Sequence, residues 1–337
     1  GINQVIMQCL AMAVIASFIG AKGLGFNLLL ALNQLRVGQA LELGICIVLI
    51  AVVLDKLSLA WANKPVDYFA DRGILIRHKN ILTLLGIFLI SVLFCVFGRY
   101  AFSEEVNYLY LIPHNQGITT ENFWQAGVDW MVEHWYQGLQ GFNTALIKGV
   151  LMPMKAAYLG MPVIATFVLI MGVGYIIGGL KSALVVCGFL MFIALTEWWD
   201  RALITAYMAS FAVIVSVSLG VLAGTLAAQH QKASKMILLV CDTFQTFPSF
   251  IYLIPVIMLF GVTDTSVLIA VIVYATIPAT RYTVEGLKSV PQSLHDAGSM
   301  SGVTKLQRLM RVEFPLAFPH MMLGLNQTIV FALFMVI

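Results

Sequence analysis

Charged side chains are scarce in this sequence, since Asp, Glu, Lys and Arg make up only 10% of its 337 residues. Soluble domains contain about 25%. Hydrophobic residues make up 60% of the chain, which excludes an ordinary water-soluble fold and predicts a polytopic membrane protein. The formal net charge is +3 and the basic residues are scattered, so the sequence offers no basic stripe to nucleic acid and excludes that class of partner.

Motifs of catalysis and of cofactor binding are missing as well. The sequence contains no GxxxxGK[ST] loop that would hold ATP phosphates. Its six histidines form neither an HExxH motif nor a pair four residues apart, so a metal hydrolase site lacks its ligands. The five cysteines lie in apolar runs without disulfide or metal-binding spacing and are best explained as small hydrophobic residues. We therefore expect no catalytic residue, metal or cofactor in this chain.

Apolar runs are abundant, and each has roughly 15 to 25 residues, which suits a helix that crosses about 30 Å of hydrocarbon. The sequence predicts nine such spans, at residues 5–20, 40–56, 81–98, 161–178, 182–196, 202–226, 237–261, 265–279 and 317–337. Pro248 and Pro255 lie inside one of them and predict a kink or a break there. The carbonyl groups freed by such a break are satisfied by neighbouring helices or by a water-lined path.

The distribution of basic residues orients the spans. Successive spans alternate across the membrane, and Lys and Arg gather on the cytoplasmic side. When residues 280–313 are placed in the cytoplasm, 13 of the 19 Lys and Arg residues fall on that side. The outer side then holds residues 99–160, a segment too long for a plain loop. Its Trp and Tyr residues predict helices that lie at the outer membrane interface, with an aromatic ligand cage as the less favoured alternative.

The two ends of the chain resemble each other. The first fourteen residues, GINQVIMQCLAMAV, align without gaps to the last fourteen, GLNQTIVFALFMVI, with six identities at an offset of 323 residues. The shared Gly-x-Asn-Gln opening favours a long-period duplication, with a chance match between apolar helices as the alternative. We expect a C-terminal tail of a first unit at residues 1–57, a cytoplasmic linker at 58–80 and a truncated second unit at 81–337. No charged segment or cleavage site precedes the first apolar run, so we expect a cut end and no signal peptide.

The polar stretch DAGSMSGVTKLQRLMRVEFP, residues 296–315, stands between two apolar spans. Its helix signals are Pro291 in a first turn, the capping-box pairs Ser293 with Asp296 and Thr304 with Gln307, the breaker Gly302 and the terminator Pro315. They predict two short helices joined at a glycine elbow on the cytoplasmic surface. Leu306, Leu309 and Met310 share one face of the second helix, and such an apolar stripe suits a groove on a partner protein.

This stretch resembles the EAA loop of ABC importer permeases, whose pattern is Glu-Ala-Ala, three residues, Gly, nine residues and Ile-x-Leu-Pro. The spacing is kept throughout, and the matching residues are Asp296, Ala297, Gly298, Gly302, Val312, Phe314 and Pro315. In that family the loop docks into a cleft of the ATP-hydrolysing subunit and carries its motion to the membrane helices. The resemblance therefore implies an ATPase-coupling loop within residues 280–315.

The segments at 241–261, 275–294 and 324–337, together with the first 25 residues, resemble the permeases of glycine betaine/proline importers. The resemblance implies an all-α, polytopic helical bundle of the type I ABC importer (MetI-like) class in a bacterial plasma membrane. It also implies separate ATPase subunits that bind ATP and Mg²⁺, and an external substrate-binding protein. The cargo would be a compatible solute such as glycine betaine, proline betaine, choline, carnitine or trimethylamine N-oxide, with another small solute such as an amino acid as the alternative.

Two other classes are less favoured by the sequence. An ion-coupled secondary transporter usually keeps charged residues inside its spans, and these spans are nearly free of them. A membrane enzyme would need a pair of acidic residues within a span, and the sequence contains none. Polar or helix-breaking residues at membrane depth are the candidates for the pathway: Gln245, Thr246, Phe247, Pro248, Ser249, Tyr252, Asn326 and Gln327. The alternative for each is a hydrogen bond that only holds the bundle together.

Overall fold

The structure is a computed structural model that describes residues 20–34, 36–62, 79–101, 119–245, 247 and 249–336, with the single positions 9, 12 and 16. Every regular element in these ranges is helical, which confirms the predicted all-α fold. The predicted span at 5–20 and most of the predicted linker at 58–80 lie outside the described residues.

Thirteen α-helices and three tighter or wider turns make up the described part of the chain. The helices are α1 Leu24–Asn33, α2 Val37–Ala62, α3 Lys79–Ala101, α4 Glu121–Leu146, α5 Met152–Leu159, α6 Val163–Leu195, α7 Trp199–Ala228, α8 Gln231–Gln245, α9 Leu253–Phe260, α10 Asp264–Lys288, α11 Gln292–Met300, α12 Lys305–Arg308 and α13 Phe314–Val336. A π-helical turn, Ile147–Leu151, joins α4 to α5, and a second, Leu309–Glu313, joins α12 to α13. A 3₁₀ turn, Ser249–Tyr252, precedes α9.

Five helical segments are long and apolar enough to cross a membrane. They are Val37–Ser58, Val163–Leu195, Trp199–Ala228, Asp264–Lys288 and Lys305–Val336. They confirm a multi-pass membrane protein. The predicted span at 81–98 lies in α3, whose described apolar stretch Leu82–Phe97 is shorter.

The helix α6 corresponds to two predicted spans and folds back on itself between them. Gly179 interrupts it with a φ of 69°, in the left-handed region that glycine adopts without a steric penalty. A Cβ placed on Gly174 would lie 3.7 Å from the Cα of Ala183, nine residues further on. In a straight helix nine residues span about 13.5 Å. The two arms of α6 therefore pack against each other as a hairpin, so the full length of α6 is not one straight crossing.

The predicted break in the span at 237–261 is confirmed. The helix α8 ends at Gln245, and helical structure resumes with the turn Ser249–Tyr252 and then α9. Of the two prolines to which the break was attributed, Pro248 lies outside the described residues and Pro255 lies in the first turn of α9, which continues through it.

The helix α10 lies at the centre of the bundle, between α7 and α13. Small residues let these helices approach closely, as is usual in membranes. A Cβ on Gly220 of α7 would lie 2.4 Å from the Cβ of Ala279, and one on Gly324 of α13 would lie 2.9 Å from the Cβ of Tyr282. Glycine is therefore required where α10 meets each neighbour.

The helices α1 and α2 pack against α4 and α9. Leu28, Ala31 and Ile47 form a buried cluster with Ile254 of α9. At one end of this interface, Arg36 forms an ion pair of 3.2 Å with Glu121, the first residue of α4. The N-terminal segment is thus attached to the helix that follows the predicted break.

The long segment at residues 99–160, which the sequence predicts to lie on the outer side, contains the amphipathic helix α4. Trp130 and Trp135 are more than half exposed on it, whereas Trp124 is partly buried and its indole N–H donates to the hydroxyl oxygen of Thr120 at 3.0 Å. These features agree with the predicted interfacial helix. Tyr136 belongs to the same predicted group of aromatic residues, and its side chain lies outside the described residues.

Candidate cytoplasmic coupling site

The polar stretch forms the predicted elbow between α10 and α13. After α10 ends, Pro291 leads directly into α11, and the chain turns at Gly302 before α12 begins. Gly302 has a φ of 71°, which is the left-handed conformation that glycine favours after a helix. The predicted glycine elbow is confirmed.

One of the two predicted capping boxes forms. The backbone N–H of Gln307 donates to the hydroxyl oxygen of Thr304 at 3.3 Å, and the backbone N–H of Thr304 donates to Oε1 of Gln307 at 3.0 Å. The prediction of a box at Ser293 and Asp296 is wrong, because α11 already begins at Gln292 and Ser293 lies inside its first turn. Asp296 accepts instead from Nε2 of Gln292 at 3.1 Å.

The prediction that Pro315 ends the second elbow helix is also wrong. Helical structure continues from Lys305 through the π-turn Leu309–Glu313 into α13, which contains Pro315 in its first turn. A π-turn shifts the hydrogen-bond register by one residue, so a proline just after it removes a bond that the wider turn already disturbs. Pro153 follows the other π-turn at the same distance. Val312 and Phe314 are therefore part of one helix that runs into the membrane.

The inner side of the elbow is organised around Arg308. Its Nε donates to Oε1 of Glu313 at 2.9 Å, and both side chains are mostly buried. A Cβ on Gly298 would lie 3.4 Å from the Cγ and Cδ atoms of Arg308, so the arginine stem crosses the elbow and contacts α11. Arg308 thus holds α11 and the π-turn together, a role that the sequence pattern did not indicate.

The outer side of the elbow exposes an apolar surface. Met300, Leu306 and Met310 are 90%, 68% and 60% exposed, and we call these three residues the elbow patch. Leu309, which the sequence assigned to the same stripe, packs inward against Leu287 and its neighbours. Asp296 and Ala297 are exposed beside the patch. Exposed apolar side chains in a polar segment, which the distribution of basic residues predicts to be cytoplasmic, indicate a surface for a partner protein.

The candidate pathway residues fall into two groups. Tyr252 is buried just after the break, and its hydroxyl donates to the carbonyl oxygen of Phe244 in α8 at 2.5 Å. Ser249 is buried in the same turn, and its hydroxyl has no hydrogen-bond partner among the described residues. Phe247 packs against Phe244, with ring centroids 5.7 Å apart. Gln245 is the last residue of α8, and Thr246 and Pro248 lie outside the described residues.

The second group, Asn326 and Gln327, lies on α13, where Asn326 is exposed and Gln327 is partly buried. Among the described residues, no hydrogen bond joins this pair to the break. The structure instead connects α13 to the break through a row of aromatic rings that the sequence analysis missed. Ring centroids are 6.2 Å apart for Phe244 and Tyr252, 5.3 Å for Tyr252 and Tyr274, and 4.8 Å for Tyr274 and Phe331. The four rings come from separate segments of the chain, so no local pattern would have revealed the row.

A multi-pass helical bundle with a glycine elbow between two membrane helices is the architecture expected of a permease-type membrane component. Residues 216–337, which include α10, the elbow and α13, match the family described as "Binding-protein-dependent transport system inner membrane component". This part of the chain therefore matches that family, and the resemblance to ABC importer permeases of the compatible-solute type is confirmed.

Relatives extend the similarity over the whole chain. The trimethylamine N-oxide transport system permease protein TmoV of Pelagibacter ubique is 63% identical over 337 residues, which are 100% of this chain and 47% of that protein. TmoV of Ruegeria pomeroyi is 39% identical over 347 residues, covering 100% of this chain and 50% of that protein. The glycine betaine/proline betaine transport system permease protein ProW of Escherichia coli is 30% identical over 224 residues, covering 66% of this chain and 63% of that protein. The chain thus spans about half the length of the two TmoV proteins.

Proposed function

We propose that this chain forms part of the translocation pathway of an ATP-driven importer for a compatible solute. The observation that carries the proposal is the elbow patch, because the elbow is joined to a membrane-spanning helix at each end. We place the patch on the cytoplasmic side, as the distribution of basic residues predicts. A force applied to the patch has a direct route to α10 on one side and to α13 on the other.

In this proposal, ATP and Mg²⁺ bind to separate ATPase subunits, since the sequence has no phosphate-binding loop of its own. The ATPase groove covers Met300, Leu306 and Met310. Nucleotide binding closes the ATPase pair and shifts the membrane helices between an inward-open and an outward-open arrangement, because the closed ATPase favours one of them. The residues of the EAA-like pattern, from Asp296 to Pro315, position the elbow for this contact.

The proposed cargo is a small methylated ammonium compound or amine oxide that an external substrate-binding protein delivers. This choice is supported by the names of the relatives, which refer to trimethylamine N-oxide for the two TmoV proteins and to glycine betaine and proline betaine for ProW. We place the affinity for the solute mainly in the binding protein and the path across the membrane in this chain.

Uptake into proteoliposomes tests the proposal. The full-length permease would be reconstituted with its ATPase subunits and binding protein, and radiolabelled trimethylamine N-oxide and glycine betaine would be supplied outside. We expect uptake that requires internal ATP and persists after ion gradients are collapsed. Uptake driven by an ion gradient without ATP would overturn the proposal.

The docking surface is tested by a charge placed in the elbow patch. We expect Met300→Glu to weaken the association with the ATPase, because the new carboxylate would lose its contact with water in an apolar groove. The expected loss is about tenfold in affinity, which corresponds to about 1.4 kcal/mol of binding free energy. Gln307→Glu is the matched control, because it adds the same charge to the elbow on an exposed polar position and glutamate also completes a capping box. Equal association of both variants with the ATPase would contradict the assigned surface.

A further inference from the structure

The side chain of Arg281 links α10 to the end of the broken helix. Its Nη1 donates to Oδ1 of Asp242 at 2.7 Å and to Oε1 of Gln245 at 2.9 Å, and both acceptors are on α8. Its Nε donates to Oε1 of Glu285 at 2.9 Å, one turn further along α10. The planar guanidinium group thus binds two helices at once, which a lysine ammonium group does not do with the same geometry.

This link lies between the break and the elbow. Gln245 is the last residue of α8, so the bond to it ends where the helix ends. On α10, Arg281 precedes Lys288, the last residue before the elbow segment, by seven residues or about 10 Å. A displacement of the elbow therefore reaches Arg281 through two turns of helix.

The helix α10 contacts the broken segment at two positions along its length, on either side of Pro278. Tyr274 contacts Tyr252 just beyond the break, and Arg281 binds α8 just before it. Pro278 lies between them and cannot donate a hydrogen bond to the carbonyl of Tyr274. The lower part of α10, which holds Arg281, can therefore tilt relative to the part that holds Tyr274.

We propose that Arg281 is a positioning residue that transmits movement of the elbow to the break by holding Gln245 and Asp242 through Nη1. The proposal rests on the coupling function proposed above. The bond to Glu285 lies within α10 and moves with it. The bonds from Nη1 join α10 to α8, so when α10 moves, either α8 moves with it or these bonds are replaced by others. The bonds between helices, and not the one within α10, are the coupling element.

Arg281 and its acidic partners are partly exposed, so a coupling role for Arg281 can be distinguished from a role in folding stability. Asp242, Glu285 and Arg281 all keep a third or more of their side-chain surface exposed, and ion pairs of this kind add little to folding stability. A substitution here is therefore expected to leave the melting temperature nearly unchanged while it changes the coupling between ATP hydrolysis and transport.

The test measures uptake of glycine betaine and ATP hydrolysis in the same proteoliposomes that contain the full transporter. We expect Arg281→Gln and Asp242→Asn to lower the number of solute molecules taken up per ATP by about fivefold or more, with hydrolysis retained. Arg281→Lys is expected to restore part of the ratio. Glu285→Gln, which neutralises only the partner within α10, is expected to change it by less than about twofold. Lys232→Gln, an exposed substitution in the first turn of α8, is the matched control for loss of a cation.

Equal ratios for wild type and Arg281→Gln would overturn the proposal, as would an equal effect of Glu285→Gln and Asp242→Asn. Loss of uptake and hydrolysis together with a lowered melting temperature would assign Arg281 a structural role and would also overturn it. If Arg281→Gln does not fold, Asp242→Asn and Gln245→Ala carry the same comparison from the α8 side. A wild-type transporter that fails to couple uptake to ATP would instead refute the proposed function itself.

Discussion

Replacing Gly220 by alanine tests the close approach of α7 to α10, on which the central position of α10 depends. A Cβ at this position would lie 2.4 Å from the Cβ of Ala279 and 2.9 Å from the backbone nitrogen of Thr280. Carbon atoms in favourable contact are about 3.5–4.0 Å apart, so the two helices have to separate by about 1 Å. Overpacking of this kind costs about 1–3 kcal/mol. Alanine has a higher helix propensity than glycine by up to about 1 kcal/mol, which offsets part of that loss.

Gly188→Ala is the matched control, because a Cβ on Gly188 in α6 would meet no atom within 4 Å. Both variants gain the same helix propensity, so the difference between them isolates the contact between α7 and α10. Thermal unfolding in detergent measures it, with Gly220→Ala expected to melt several degrees below Gly188→Ala at about 2–4 °C per kcal/mol. Equal melting temperatures would show that α7 and α10 are not held at the separation described, and the reasoning from close helix packing would be refuted.

Three further predictions concern the elbow. Gly302→Pro should abolish uptake without affecting membrane insertion, because proline cannot adopt a φ of 71°. Gly302→Ala should raise the free energy of the elbow conformation by about 1–2 kcal/mol, whereas Gly302→Asn should be tolerated because asparagine adopts this conformation more readily. Gly298→Ala should retain uptake, since its Cβ would meet the stem of Arg308 at an ordinary 3.4 Å, whereas the bulkier Gly298→Val should reduce it. If the chain contains a duplication, the reading frame that encodes it should contain a second DAGxxxG-like elbow about 323 residues upstream of Asp296, at the spacing of the terminal repeat; sequencing that shows none would refute the duplication and leave the permease assignment intact.

The sequence was sufficient for features that depend on a few neighbouring residues. Gly302 and the Thr304 capping box are local signals, and both appear in the structure as predicted. The break after Gln245 was predicted from nearby prolines, which lack a backbone donor. Pro278 and Pro315 lie inside continuous helices, so proline alone does not decide where a helix ends. The two arms of α6 were recognised as separate apolar runs, although the sequence did not indicate that they pack against each other.

Features that depend on distant residues were missed. Arg281 was counted among the cytoplasmic cations because the sequence does not show that Asp242, 39 residues earlier, faces it. The continuation of the elbow helix through Pro315 depends on a π-turn, and five residues such as LMRVE carry no composition that distinguishes this turn from an α-helical one. The sequence therefore defined the local shape of the elbow but not what the elbow is attached to.

The contacts of α10 determine against which neighbouring helix it can move. A Cβ on Gly286 of α10 would lie 2.8 Å from the Cβ of His320, and Gly324 of α13 is in similarly close contact with Tyr282. Each of the two helices thus contributes one glycine to a close contact with the other. Dense packing of this kind has one favourable arrangement, and a shift of a fraction of an ångström already costs dispersion energy. The contact of α10 with α8 combines the buried pair Cys241 and Ile277 with the hydrogen bonds from Arg281, and these bonds are partly exposed and can be exchanged for water. Because Gly220 of α7 is packed at least as closely against α10, a force on the elbow patch is expected to move α7, α10 and α13 together, with the displacement taken up against α8 at the break.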